Sequence, residues 1–181
     1  MAKIVLYLAA SLDGFIADEH GGVDWLTPFQ SGDLGFEAFL GRVGTVVMGR
    51  RTFDQARAFE LWPYGGKRII VLTSRPLGSL PDGGEVVRGE AGAIAAQLRE
   101  NASDAWIVGG AKTMGAFLAA DAIDRVVLHV APLILGSGLR MFEGAGSAVP
   151  FHLEDSTLFR NGVARLTYER TWKSTPLRGS T

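Results

Sequence analysis

Trp106-Ile107-Val108-Gly109-Gly110-Ala111-Lys112-Thr113-Met114 is the stretch whose reading decides the fold. A short apolar run stops at two glycines, and a helix-like pattern begins at once. Adjacent glycines let backbone N–H groups turn toward one point without a Cβ in the way. A helix N-terminus adds positive potential, so the natural guest is an anion such as a diphosphate. The glycines alone fit a plain strand-to-helix turn equally well.

Working outward, the same strand–glycine–helix grammar recurs. Lys3 to Ala10 is nearly all apolar, as a strand buried on both faces requires. Residues 11 to 32 form a long, glycine-punctuated excursion carrying Asp24, Trp25 and Pro28. Asp33 to Leu40 spaces Phe36, Phe39 and Leu40 as a helix, with Asp33 where an N-cap acid stands. Thr45 to Met48 is a strand running into Gly49-Arg50-Arg51-Thr52 and a second helix. Lys67 to Leu72 is a strand ending in Thr73-Ser74-Arg75-Pro76, and Glu85 to Arg88 a shorter one.

Beyond a helix at Glu90 to Arg99 comes the strand Asp104 to Val108, then the helix Ala111 to Ala119. Arg125 to Val130 is the sixth strand, and Leu133 to Gly146 reads as a glycine-rich loop. Phe151–Phe159 and Val163–Trp172 flank Asn161-Gly162, a two-residue hairpin signal. The expected fold is α/β: a three-layer sandwich with a mostly parallel mixed sheet and a C-terminal antiparallel hairpin. Residues 1–173 read as one domain and 174–181 as a tail.

Composition narrows the function. Hydrophobic residues are 47% and charged residues 20% of the chain, and 18 basic against 19 acidic residues give a net charge of −1. That balance gives no support for a nucleic-acid partner. The chain has no cysteine, so thiolate metal sites and cysteine nucleophiles are excluded, and its three histidines have no metal-ligand spacing. No metal site is expected. Nothing resembles a signal peptide or a membrane span, so the expectation is a cytoplasmic protein.

In a parallel sheet the carboxyl ends of the strands share one edge, where ligands bind. The segments Met48–Thr52, Leu72–Arg75 and Val108–Thr113 all sit at such ends. They supply glycine turns, hydroxyls and four cations, Arg50, Arg51, Arg75 and Lys112, which suits a ligand with several phosphates. Asp33 fits a plain N-cap as well as an acid in a partly apolar pocket. Trp25 and Phe29 could roof that pocket, and His129, among apolar neighbours, reads as a core residue.

These marks resemble the dihydrofolate reductase fold, in the branch shared with the reductase domain of the riboflavin-pathway deaminase-reductase. They are Ser11-Leu12-Asp13-Gly14-Phe15-Ile16-Ala17, Met48-Gly49-Arg50-Arg51-Thr52, Thr73-Ser74-Arg75-Pro76 and Val108-Gly109-Gly110-Ala111. Asp24-Trp25 replaces the Pro-Trp usual in dihydrofolate reductases, and Leu-Gly-Ser-Gly at 135–138 is more like the riboflavin type.

The resemblance implies NADPH as cofactor. Val108, Gly109, Gly110, Ala111, Lys112 and Thr113 would meet its diphosphate, as would Gly49, Arg50, Arg51 and Thr52. Arg50, Arg51 and Thr52 would also meet the adenosine 2′-phosphate, helped by Thr73, Ser74 and Arg75, and Ala9, Ile16 and Ala17 would line the nicotinamide. It further implies a homodimer and a small pterin-like or pyrimidine-like substrate held by Trp25, Asp33 and Phe36, with Asp33 as the catalytic acid. The leading activity is reduction of 5-amino-6-(5-phosphoribosylamino)uracil. Dihydrofolate reduction and an NADPH-binding protein without turnover are the alternatives.

Overall fold

The computed structural model describes residues 2–32 and 34–171. In chain order its elements are β1 (Ile4–Ala10), β2 (Phe15–Ala17), a 3₁₀ helix (Asp24–Phe29), α1 (Phe36–Leu40), β3 (Val43–Gly49) and α2 (Arg50–Arg57). Then come β4 (Arg68–Leu72), β5 (Gly84–Val87), α3 (Ala91–Arg99), β6 (Asp104–Gly109), α4 (Ala111–Ala119), β7 (Arg125–Val130), β8 (Leu139–Arg140), β9 (Phe151–Leu158) and β10 (Ala164–Arg170).

Eight strands form one sheet in the order β5-β4-β3-β6-β1-β7-β10-β9. The first six are mutually parallel, β10 runs antiparallel to β7, and β9 antiparallel to β10. The chain leaves β1 for β3, returns to set β6 between them, and later adds β7 on the far side of β1. This is the α/β architecture expected from the alternating pattern.

Two cores lie on the two faces of the sheet. Ile4 and Leu6 of β1 join Val47, Ile70 and Ile107 under α3 and α4, where Leu98, Met114 and Phe117 are fully buried. Val5 joins Val46, Met48, Ile69 and Val71 under Phe39 of α1 and Phe53 of α2. Helices on both faces explain why these strands are apolar without alternation. Burying a ring such as Phe53 or Phe117 contributes about 2–3 kcal/mol each.

Four local readings are corrected. The first concerns α1, whose N-cap is Gly35, in the left-handed conformation at φ 85°, with no side-chain cap bond. The helix therefore starts after the position that an Asp33 cap requires, and Asp33 itself lies outside the described residues, as does the tail at 174–181. The second concerns Asn161-Gly162, which is not a two-residue turn. Gly162 N–H bonds the Phe159 carbonyl at 2.9 Å, Phe159 N–H bonds Val163 O at 2.9 Å, and Gly162 alone has positive φ, 85°. That is a three-residue loop with a glycine bulge, because a primed turn needs positive φ at both central residues.

The third correction is to the loop after β7. It contains β8, which pairs antiparallel with β2, Phe15 opposite Arg140. Asp13 anchors it, accepting from Leu135 N at 3.0 Å, Gly136 N at 2.7 Å and Ser11 Oγ at 2.6 Å. These bonds, Ser11 first, hold the Asp13 carboxyl at a pKa of about 2. The fourth is within the 11–32 excursion, which holds β2 and the 3₁₀ helix rather than bare loop.

Candidate active site

The two glycine junctions meet. Strands β3 and β6 are neighbours, with Met48 opposite Gly109, so α2 and α4 both start at the carboxyl edge of the sheet, side by side. A Cβ on Gly49 would come within 2.7 Å of Thr113 Oγ1 and 3.8 Å of Gly110 N. Cβ atoms on Gly109 and Gly110 would meet Thr52 Oγ1 at 3.7 and 3.6 Å. Each helix thus sends a threonine hydroxyl to the other's glycine turn. Among the described residues no side chain caps the N-terminus of α2 or α4. Two sets of unsatisfied N–H groups therefore face one corner, with two helix dipoles reinforcing them. The Gly109–Gly110 peptide bond is cis.

The cations divide by direction. Arg50 donates to both carboxylate oxygens of Asp54, at 2.9 and 2.7 Å, and to Pro76 O at 3.0 Å. It therefore stands beside the Thr73–Pro76 turn, where Arg75 N–H bonds Thr73 Oγ1 at 3.1 Å; Ser74 lies in the same turn. Arg51 points elsewhere: its guanidinium comes within 3.5 Å of where a Gly21 Cβ would be. Gln55, one turn on, donates to Gly21 O at 3.0 Å, so this face of α2 holds the 18–22 loop. Lys112 is exposed, 3.9 Å from Glu143.

Beside this corner opens a cleft of about 690 Å³. Its floor is β1 and β7, which pair in parallel with Ala9 opposite His129. Alternation puts Tyr7 and Ala9 of β1, His129 of β7 and Ala131 just beyond that strand on the cleft side. Leu26, Phe29, Gln30 and Gly32 line it from the 3₁₀ segment, and Leu34, Phe36 and Glu37 from the start of α1. Leu26 and Phe29 are three apart, one 3₁₀ turn, and share a face. Trp25 is on another face: it is not a lining residue, and its buried Nε1 has no hydrogen-bond partner among the described residues. Of the expected site residues, Ala9 and Phe36 line the cleft. Ile16 packs against the core and Ala17 is buried, both in β2.

The polar part of the floor was invisible to pattern reading. His129 is only 4% exposed. Its Nε2 lies 3.2 Å from Leu34 O and 3.4 Å from the Tyr7 hydroxyl, which also reaches Leu34 O at 3.3 Å. Burial pushes the imidazole below its usual pKa, against the pull of the Leu34 and Leu8 carbonyls, and Arg165 adds to the downward push. His129 is therefore neutral at pH 7, and its bond to Leu34 O requires the hydrogen on Nε2. Tyr7 stacks on Phe39 at 4.3 Å, and its carbonyl accepts from Trp106 Nε1 at 3.1 Å. The floor is rigidly backed. The available signal was a histidine interrupting an apolar strand.

The register joins corner and cleft. Leu6 pairs with Ile107, so the chain leading to Leu8 and Ala9 of the cleft floor and the chain leading to Gly109 leave the same paired position side by side. An extended ligand could run from the paired glycine turns into the cleft without leaving the sheet edge.

This architecture is that of the dihydrofolate reductase-like proteins. Within that class, the model of the RibD C-terminal domain matches residues 81–165. The uncharacterized protein YwjB of Bacillus subtilis is 36% identical over 171 residues, 93% of this chain and 98% of its own length. The structure of a putative riboflavin biosynthesis protein from Shewanella sp. PV-4 superposes with a TM-score of 0.83 at 33% identity, covering 95% of this chain and 100% of that one. The Thermotoga maritima deaminase/5-amino-6-(5-phosphoribosylamino)uracil reductase has a TM-score of 0.71 at 21% identity, covering 94% of this chain and 57% of that one, a likeness of fold. The chain belongs to the RibD C-terminal domain family.

Proposed function

We propose that this protein is an NADPH-dependent reductase of a small pterin-like or pyrimidine-like substrate. The observation that carries the reading is the junction of two uncapped helix N-termini with an apolar, aromatic-lined cleft along one sheet edge. The residues fit such a cofactor. Gly49, Gly109 and Gly110 leave the corner free of Cβ atoms, and the first turns of α2 and α4, from Arg50 to Thr52 and from Ala111 to Thr113, offer N–H donors to a diphosphate. When bound, the dihydronicotinamide supplies a hydride.

The protein's part is orientation and a proton. Val108 to Gly110 seat the diphosphate. Arg50, which faces the Thr73–Ser74–Arg75 turn, serves the 2′-phosphate with that turn. Arg51 belongs to the scaffold of the 18–22 loop as much as to the ligand. Ala9, with Ile16 and Ala17 of β2, walls the nicotinamide. Phe36, Phe29 and Leu26 hold the flat substrate against the floor, and Asp33 supplies the proton. A pyrimidine of the 5-amino-6-(5-phosphoribosylamino)uracil type is the leading substrate by family, with dihydrofolate as the alternative. The same resemblance carries a cytoplasmic homodimer with it.

Purified protein mixed with NADPH is expected to lose 340 nm absorbance when the uracil intermediate is added. Tight NADPH binding without oxidation by that compound or by dihydrofolate would sink the reductase reading and leave a binding protein. Arg50→Ala should raise the Kd for NADPH about tenfold or more and that for NADH far less, since only the former carries the 2′-phosphate. Equal losses in a titration with both would move Arg50 to the diphosphate or to scaffold.

A further inference from the structure

We propose that Asn161, in the β9–β10 hairpin loop, is a latch that holds the roof of the substrate cleft and so sets substrate affinity from outside it. Its side-chain amide donates to Phe29 O at 2.8 Å and to Ser31 O at 3.2 Å. Those carbonyls straddle Gln30, and Phe29, Gln30 and Gly32 all line the cleft. The same side chain accepts from Val163 N at 3.2 Å. Val163 is a cleft residue too, only 2% exposed. One amide thus ties the roof of the cleft to its wall across more than a hundred residues of chain.

Other hydrogen bonds of the 24–32 segment, among the described residues, are local: Leu26 N to Val23 O at 2.9 Å and Gln30 N to Thr27 O at 3.4 Å. A single 3₁₀ helix bonded to itself has little hold on a sheet. The two bonds from Asn161 are what fasten its carbonyls to the rest of the fold. The glycine bulge makes this possible. Gly162 at φ 85° closes the loop, leaving Asn161 as a turn residue whose Oδ1 stays bonded two residues on. Its NH₂ group is then free to reach the roof.

Asn161→Asp is the sharpest test. A carboxylate keeps the size and the bond to Val163 N–H, but it has no donor for the two carbonyls and repels both. The inference rests on the reductase reading for its kinetic arm only; hydrogen exchange tests it without any substrate. In Asn161→Asp, amides of Leu26 and Gln30 should exchange about tenfold faster, the scale set by losing two neutral hydrogen bonds. With NADPH and whichever of the two heterocycles is turned over, KM for that heterocycle should rise about tenfold while kcat and NADPH affinity stay within about twofold.

Asn161→Ser, which keeps a turn-forming residue but cannot span both carbonyls, should show the same direction if the aspartate variant folds poorly. Unchanged exchange at Leu26 and Gln30 overturns the latch. So does a loss spread over kcat, NADPH affinity and melting temperature alike, which would mean that Asn161 merely stabilises the hairpin. Faster exchange with no turnover of any substrate in the unsubstituted protein would leave the latch standing and remove the reductase.

Discussion

Gly138→Ala should lower the melting temperature by roughly 5–15 °C, equivalent to about 2–4 kcal/mol in a chain of this size. Gly138 has φ 148°, outside what a side chain tolerates. The new Cβ would also sit 2.2 Å from Ala17 O, 3.2 Å from Ala17 C and 3.3 Å from Asp18 Cα. All three are backbone atoms, so no rotamer change relieves the contact. Either β2 or the strand β8 that follows must move, and their pairing through Phe15–Arg140 and Ala17–Leu139 is lost.

Gly136→Ala is the matched control. It also has positive φ, 83°, but its Cβ would meet nothing within 4 Å. Strain alone should cost it about 1 kcal/mol. Differential scanning calorimetry of the two variants decides: equal losses would show that backbone conformation, not the close approach of β8 to Ala17, governs this corner. Because β2 carries Ile16 and Ala17, the Gly138 variant should also bind NADPH more weakly, as Gly136→Ala should not.

This corner shows where sequence reading stops. Leu-Gly-Ser-Gly at 135–138 was legible as a family mark, yet β8 was not. A two-residue strand has no period, and it is held by β2 while Asp13 ties down the turn before it, both more than a hundred residues away. The parallel strands β3, β4, β6 and β7 were legible for the opposite reason. Helices cover both faces, so Val46 to Met48 or Ile69 to Val71 must be apolar throughout. Local chemistry misled where two signals competed. Asp33 resembles an N-cap, but the left-handed Gly35 starts α1. Asn161-Gly162 resembles a primed turn, but the extra residue Arg160 turns it into a bulged loop. The strand-to-helix turns at Gly49 and at Gly109–Gly110 were legible because glycine punctuates strand ends where the chain turns sharply into a helix. The cleft floor was not, since Tyr7 and His129 become partners only through the β1–β7 register.

Asp33→Asn is expected to cut turnover about 10²–10⁴-fold, the usual contribution of a positioned acid, with NADPH affinity within about twofold. Hydride addition to the carbon of a C=N bond, in a dihydropterin ring or in a ring-opened ribosylamine, leaves a nitrogen that must gain a proton, and the floor offers poor sources. His129 is neutral and already donates to Leu34 O, and the Tyr7 hydroxyl is bonded to the same carbonyl. A carboxylic acid is a stronger donor than either. Glu37 lines the cleft four residues after Asp33, so Glu37→Gln must be run beside it and should cost less than about tenfold. An acid that donates must be protonated, so turnover should fall as pH rises through its pKa, and Asp33→Asn should lack that limb. If Glu37→Gln takes the large loss and abolishes the limb instead, the proton comes from α1 and Asp33 is released from the chemistry. Should neither variant move kcat, the proton reaches the substrate from solvent, and the cleft's work is orientation alone.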